Sequence, residues 1–113
     1  MNINRLLDLW DEQKKGEHLE RPFIIAEIGS NHRNDLSIAK ETIAAAVECG
    51  ADAVKFQSVN LQDLYWSPSD NIKPLYEKID LQESWYHELK DYCDEKKIIF
   101  FSSPTYMRSV DIL

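Results

Sequence analysis

Four polar residues of this sequence, Glu27, Lys55, Gln57 and Ser103, could do chemistry together. Each stands at or near the C-terminal end of a short apolar run. A lysine there supplies a fixed positive charge, which a phosphate or carboxylate ligand needs. A nearby carboxylate can accept a proton or hold a sugar hydroxyl. A serine hydroxyl adds a hydrogen bond to a phosphate oxygen. The same spacing also suits a buried ion pair between Glu27 and Lys55 on adjacent strands, and the residues alone leave both readings open.

The apolar runs explain how these side chains would be brought together. Residues 23–28, FIIAEI, follow Pro22 and read as a strand buried on both faces. Only Glu27 is wrong for that reading, because a carboxylate in a buried strand is costly without partners. A polar loop, residues 29–35, leads to a helix with Asp35 as N-cap. Its apolar stripe is Leu36, Ala39, Ile43, Ala46 and Val47, and Gly50 closes it. Residues 53–57, AVKFQ, form a second strand with Val54 and Phe56 on one face and Ala53, Lys55 and Gln57 on the other. The long segment 58–80 contains Pro68 and Pro74; segments of this length are often functional or carry short local structure. A second helix is predicted over 82–96, with Trp85, Leu89, Tyr92 and Cys93 inward. A third strand, 98–103, ends at Pro104, and another helix begins near Tyr106.

Alternating strands and helices imply a parallel sheet with right-handed crossovers. Period-two counting puts Phe23 and Ile25 with Glu27, and Ile99 and Phe101 with Ser103. That face is apolar at the bottom and polar at the top, and the top is the edge where such folds bind ligands. No GxGxxG follows the first strand, and neither a phosphate-binding Walker loop nor a zinc-spaced Cys/His cluster occurs.

The 113 residues suffice for one modest core, and 43% hydrophobic with 29% charged residues is an ordinary globular composition. A formal net charge of −7 argues against a nucleic-acid surface or a polybasic membrane patch. Residues 3–14 form a short amphipathic helix with Ile3, Leu6, Leu7 and Trp10 on one face, suited to packing on the domain or on a partner. The N-terminus has no apolar signal core, and no run approaches the ~20 apolar residues of a membrane span, so a cytoplasmic location is expected. Cys49 and Cys93 are expected as buried core thiols. His32, in the first strand–helix loop, could touch a ligand or order the loop. His87 falls on a charged helix face. Tyr65 and Trp66 could cover a sugar, but packing the loop down is the favoured role.

At these residues the sequence resembles a known family. Phe23-Ile-Ile-Ala-Glu-Ile-Gly-Ser-Asn-His32, then Asp35-Leu36 and Ala39-Lys40, then Gly50-Ala-Asp-Ala-Val-Lys-Phe-Gln57, and later Ile99-Phe-Phe-Ser-Ser-Pro104, are similar to the start of the sialic acid synthase (NeuB) family. The likeness runs from about residue 21 to the end. It implies an α/β fold: the first three βα units of a (β/α)8 TIM barrel with parallel strands. A helical extension over 1–20 would precede a partial barrel over 21–113. The resemblance also implies a dimeric enzyme that joins phosphoenolpyruvate to N-acetylmannosamine or a related amino sugar, with Mn2+ or Mg2+, releasing phosphate. By the same resemblance Glu27 is the catalytic carboxylate that contacts the sugar. Lys55 binds phosphoenolpyruvate, and Gln57 is the site glutamine beside it. Ser103 stands where bacterial synthases commonly have Thr, and Asn31 and His32 belong to the loop that shapes the site.

Three departures stand out. Asn34 replaces the glycine of the family's NHxG loop, Lys97 replaces a glycine before the third strand, and 58–80 follows no familiar version of that loop. A complete barrel takes ~250 residues, so this chain is expected to be its opening third. The metal-binding histidines would then come from later sequence, and the isolated chain is expected to be inactive. The alternative is a non-catalytic, self-associating module derived from the barrel. Barrels that condense phosphoenolpyruvate with sugar phosphates are a more distant possibility.

Overall fold

The computed structural model describes residues 3–15 and 21–113. A helix, α1 (Ile3–Lys14), precedes three strands: β1 (Ile25–Gly29), β2 (Ala53–Ser58) and β3 (Ile99–Pro104). They form one sheet in the order β1-β2-β3, all parallel. Helix α2 (Leu36–Glu48) connects β1 to β2. Two short helices, α3 (Leu61–Leu64) and α4 (Lys73–Tyr76), then a 3-10 turn (Glu83–Trp85) and α5 (Tyr86–Lys96), connect β2 to β3. Helix α6 (Met107–Ile112) follows β3. The boundary proposed at residue 20 lies outside the described residues.

Local chemistry explains the helix ends. The Asp35 carboxylate accepts from the N–H groups of Ser37 at 2.8 Å and Ile38 at 3.2 Å, satisfying two donors that α2 leaves open. At the other end Gly50 takes φ +80°, and Gly50 N and Ala51 N donate to Val47 O and Ala46 O. That is the Schellman closure, which needs a left-handed residue. Helix α5 ends the same way, but Lys97 takes the left-handed position at φ 60°.

The core lies between the sheet and α2 with α5. Ala39, Ile43 and Ala46 of α2 and Tyr86, Leu89 and Cys93 of α5 pack with Ile28, Val54 and Phe56. Cys93 is buried as expected, and burial pushes its thiol up to about 12. Cys49 corrects the expectation for it: it is exposed, because it caps α2 beyond the last turn that faces the sheet. On α1, Leu7 and Trp10 of the expected packing stripe are about 60% exposed, at 61% and 60%.

The lower end of the sheet is tied by Asp52. Its carboxylate accepts from both Arg21 Nη atoms at 2.8 and 2.5 Å and from Ile24 N at 2.8 Å. The Arg21 guanidinium holds the Asp52 carboxyl below its ordinary value, outweighing the opposite pull of burial. The sheet face opposite the helices is open in part: Ile25 is 45% exposed.

Candidate functional site

The period-two argument holds along β2 and β3. Lys55 lies opposite Glu27 on one side and Phe101 on the other, and Gln57 lies opposite Ser103. Glu27, Lys55, Gln57 and Ser103 therefore share the sheet face away from the helices, at the C-terminal ends of the strands. Lys55 Nζ stands 2.6 Å from Glu27 Oε2. The pair that the spacing allowed does form, but it is not buried: the side chains are 31% and 46% exposed. Water therefore reaches both charges, and a ligand can compete for either.

A backbone irregularity places Glu27. The β1–β2 register shifts between Glu27 and Gly29, so that Gly29 faces Phe56. Such a bulge re-aims side chains at a strand end. Gly29 takes φ +58°, and a Cβ there would lie 3.4 Å from Glu27 Oε1 and 3.7 Å from Gln57 Nε2. A Cβ would meet both groups at ordinary contact distance, so the left-handed backbone, rather than want of space, is what favours glycine here.

Beneath this edge, on the helix side, Ser58 Oγ and Ser102 Oγ stand 2.7 Å apart. Thr105 Oγ1 donates to Ser58 O at 2.7 Å. These bonds hold together the ends of β2 and β3, which carry Gln57 and Ser103. The sequence reading assigned no role to Gly29, Ser58 or Ser102. A glycine directly after a strand-end carboxylate was the available signal for the first; the serine pair had none.

Asn31 lies exposed in the turn after β1, where its N–H donates to Ile28 O at 3.1 Å. His32 does not reach the open edge. It is fully buried against Phe56 and Trp85, with ring centroids 6.3 and 5.8 Å away. Its Nδ1 accepts from Asn34 N at 3.0 Å, and burial lowers its pKa. The loop-ordering role therefore applies. Tyr65 packs as favoured, edge-on to Tyr76 with the Tyr76 hydroxyl donating to its oxygen at 3.0 Å. Trp66 does not pack; it is fully exposed, in the stretch that follows the short helix ending at Leu64. His87 is exposed.

The donor set does not fit a divalent metal. Among the described residues no three His, Cys, Asp or Glu side chains group together. At the edge itself Glu27 is already neutralised by Lys55. Among the described residues no helix is long and apolar enough to cross a membrane.

Comparisons with known proteins show the family and the fold. Residues 42–113 match the model of the NeuB family. The chain is 36% identical over 108 residues to human N-acetylneuraminate-9-phosphate synthase, covering 80% of this chain and 29% of that protein. The crystal structure of the spore coat polysaccharide biosynthesis protein SpsE of Bacillus subtilis superposes with TM-score 0.64 at 41% identity, covering 84% of this chain and 27% of that one. The N-acetylneuraminic acid synthetase of Leptospira borgpetersenii, solved with citrate, gives TM-score 0.73 at 31% identity, covering 80% and 32%. The chain thus spans under a third of the relatives it matches. With three parallel βα units, a charged strand edge and these likenesses, the chain belongs to the NeuB family.

Proposed function

We propose that the open strand edge is part of the active site of a sialic-acid-synthase-type transferase, one that joins phosphoenolpyruvate to N-acetylmannosamine or a related amino sugar and releases phosphate. In this reading Lys55 binds the phosphoenolpyruvate anion, and Glu27 contacts the sugar as the catalytic carboxylate. Gln57 and Ser103 add hydrogen bonds, and Asn31 shapes the rim. The Mn2+ or Mg2+ of the complete enzyme would be held by residues other than these. A cytoplasmic location goes with this reading.

The observation that carries this reading is the solvent-reachable Lys55–Glu27 pair beside Gln57 and Ser103 on one face. A cation and a carboxylate 2.6 Å apart offer one group to an anionic donor and the other to a hydroxylated acceptor.

Titration of the chain with phosphoenolpyruvate, followed by NMR, tests it. Shifts at Lys55, Gln57 and Ser103 are expected, with Kd on the order of 1 mM or weaker for part of a site, and Lys55→Ala should abolish them. Unchanged spectra, or shifts that persist in Lys55→Ala, would sink the reading. The chain alone with phosphoenolpyruvate, N-acetylmannosamine and Mn2+ is expected to release no phosphate.

The partly open sheet face, with Ile25 exposed, favours a second reading as a self-associating module. Sedimentation decides it: a monomer that unfolds cooperatively counts against it.

A further inference from the structure

We propose that Asn34 is a structural clamp: its side-chain amide ties segment 77–82 onto the β1–α2 turn, so that the two loops at the polar strand edge are held as one wall. The importance of that wall rests on the ligand reading above; the clamp itself does not.

Both ends of the amide are used. Asn34 Nδ2 donates to Glu77 O at 2.9 Å, and Asn34 Oδ1 accepts from Gln82 Nε2 at 2.8 Å. The two partners bracket the last residues of the long connection that leaves β2 directly after Gln57 and Ser58. The backbone N–H of Asn34 is engaged as well, donating to His32 Nδ1 at 3.0 Å. His32 is seated in the core between Phe56 and Trp85, so the turn cannot shift without unseating a buried ring.

The conformation is specific to this use. Arg33 and Asn34 take φ 52° and 55°, two successive left-handed residues. That region disfavours most side chains, and asparagine is among the few that tolerate it. Glycine would satisfy the backbone equally well but could not reach Glu77 or Gln82. Asn31, in the same turn, and segment 58–82 therefore share one anchor.

Hydrogen–deuterium exchange of the whole chain tests the clamp, using Asn34→Gly, Gln82→Ala and the double variant. Glycine keeps the left-handed turn and removes the amide, and Gln82→Ala removes one of the amide's bonds without altering the turn's backbone freedom. Both bonds are exposed to solvent, and two neutral hydrogen bonds at the weaker end of the ordinary range correspond to about a tenfold change in local opening. Exchange across 60–82 should therefore speed up about tenfold in Asn34→Gly and severalfold in Gln82→Ala. The double variant should match Asn34→Gly, because Gln82 has no further bond to lose to Asn34. Amides of β2 and β3 should exchange as before. Unchanged exchange over 60–82, additive effects in the double variant, or acceleration spread over the sheet would each overturn the proposal. No ligand is present in this experiment, so its failure leaves the phosphoenolpyruvate titration to judge the functional reading separately.

Discussion

Lys55 Nζ and Glu27 Oε2 meet at 2.6 Å across the β1–β2 pair while both side chains remain partly open to water. A salt bridge in that setting contributes little to stability, because hydration already satisfies each charge and solvent screens the attraction. Its placement at the strand ends is what matters.

That relationship separates two effects of Lys55→Gln. Stability measured by urea unfolding should change by less than about 1 kcal/mol. Phosphoenolpyruvate binding, read by NMR titration, should weaken at least tenfold, since the anion loses its fixed positive partner. A large loss of stability with unchanged binding would mark the pair as structural.

Gly29→Ala should cost about 1–2 kcal/mol in the same unfolding measurement, the usual penalty for a side chain in the left-handed region. The new methyl would also stand in van der Waals contact with Glu27 Oε1 and Gln57 Nε2, the two groups nearest its site. Shift changes at Glu27 and Gln57 are therefore expected in its NMR spectrum. Ala at Gly29 with native stability would mean that the turn relaxes.

Lys97→Gly should stabilise the protein, by about 0.5–1 kcal/mol. Lys97 closes α5 at φ 60°, where glycine avoids the strain of a Cβ, although its freer unfolded chain offsets part of the gain. Thermal unfolding should show a higher midpoint for the variant, and a lower one would contradict this account.

His32 and Asp52 weaken the fold as pH falls, whereas Asp80, whose carboxyl burial holds above its ordinary value, acts in the opposite direction. His32 is buried and its pKa lies below the ordinary value, so the folded protein favours the neutral ring. Its contribution is complete above about pH 6.5, the unfolded histidine value, and is lost as pH falls through the lower folded value. Protonation also removes the Nδ1 acceptor for Asn34 N–H. Asp52 is lowered by Arg21, so its contribution is complete above about pH 3.9 and is lost at still lower pH. Unfolding free energy followed from pH 8 to pH 3 should fall in these two stages. The upper one should be absent in His32→Gln, and a single stage in the wild type would exclude His32.

Much of this arrangement was legible in the order of residues. Alternating apolar runs and helical stripes set the βα order, since strand and helix periods differ and each must turn an apolar face inward. Period two placed Glu27, Lys55, Gln57 and Ser103 on one face, and Asp35 and Gly50 marked the ends of α2 by their local hydrogen bonding and φ preference. These are short-range properties, carried by neighbouring residues. Only the tertiary structure decided the rest. Whether Glu27 and Lys55 are buried or open to water depends on what covers the sheet, and no local spacing encodes that. His32 faces the core because Phe56 and Trp85, 24 and 53 residues away in sequence, close around it. Asn34 became a clamp because Glu77 and Gln82 return to meet it, and Asp52 became a tie because Arg21 does. Contacts between distant segments arise from packing the whole chain at once, and the identity of one residue does not announce its partner.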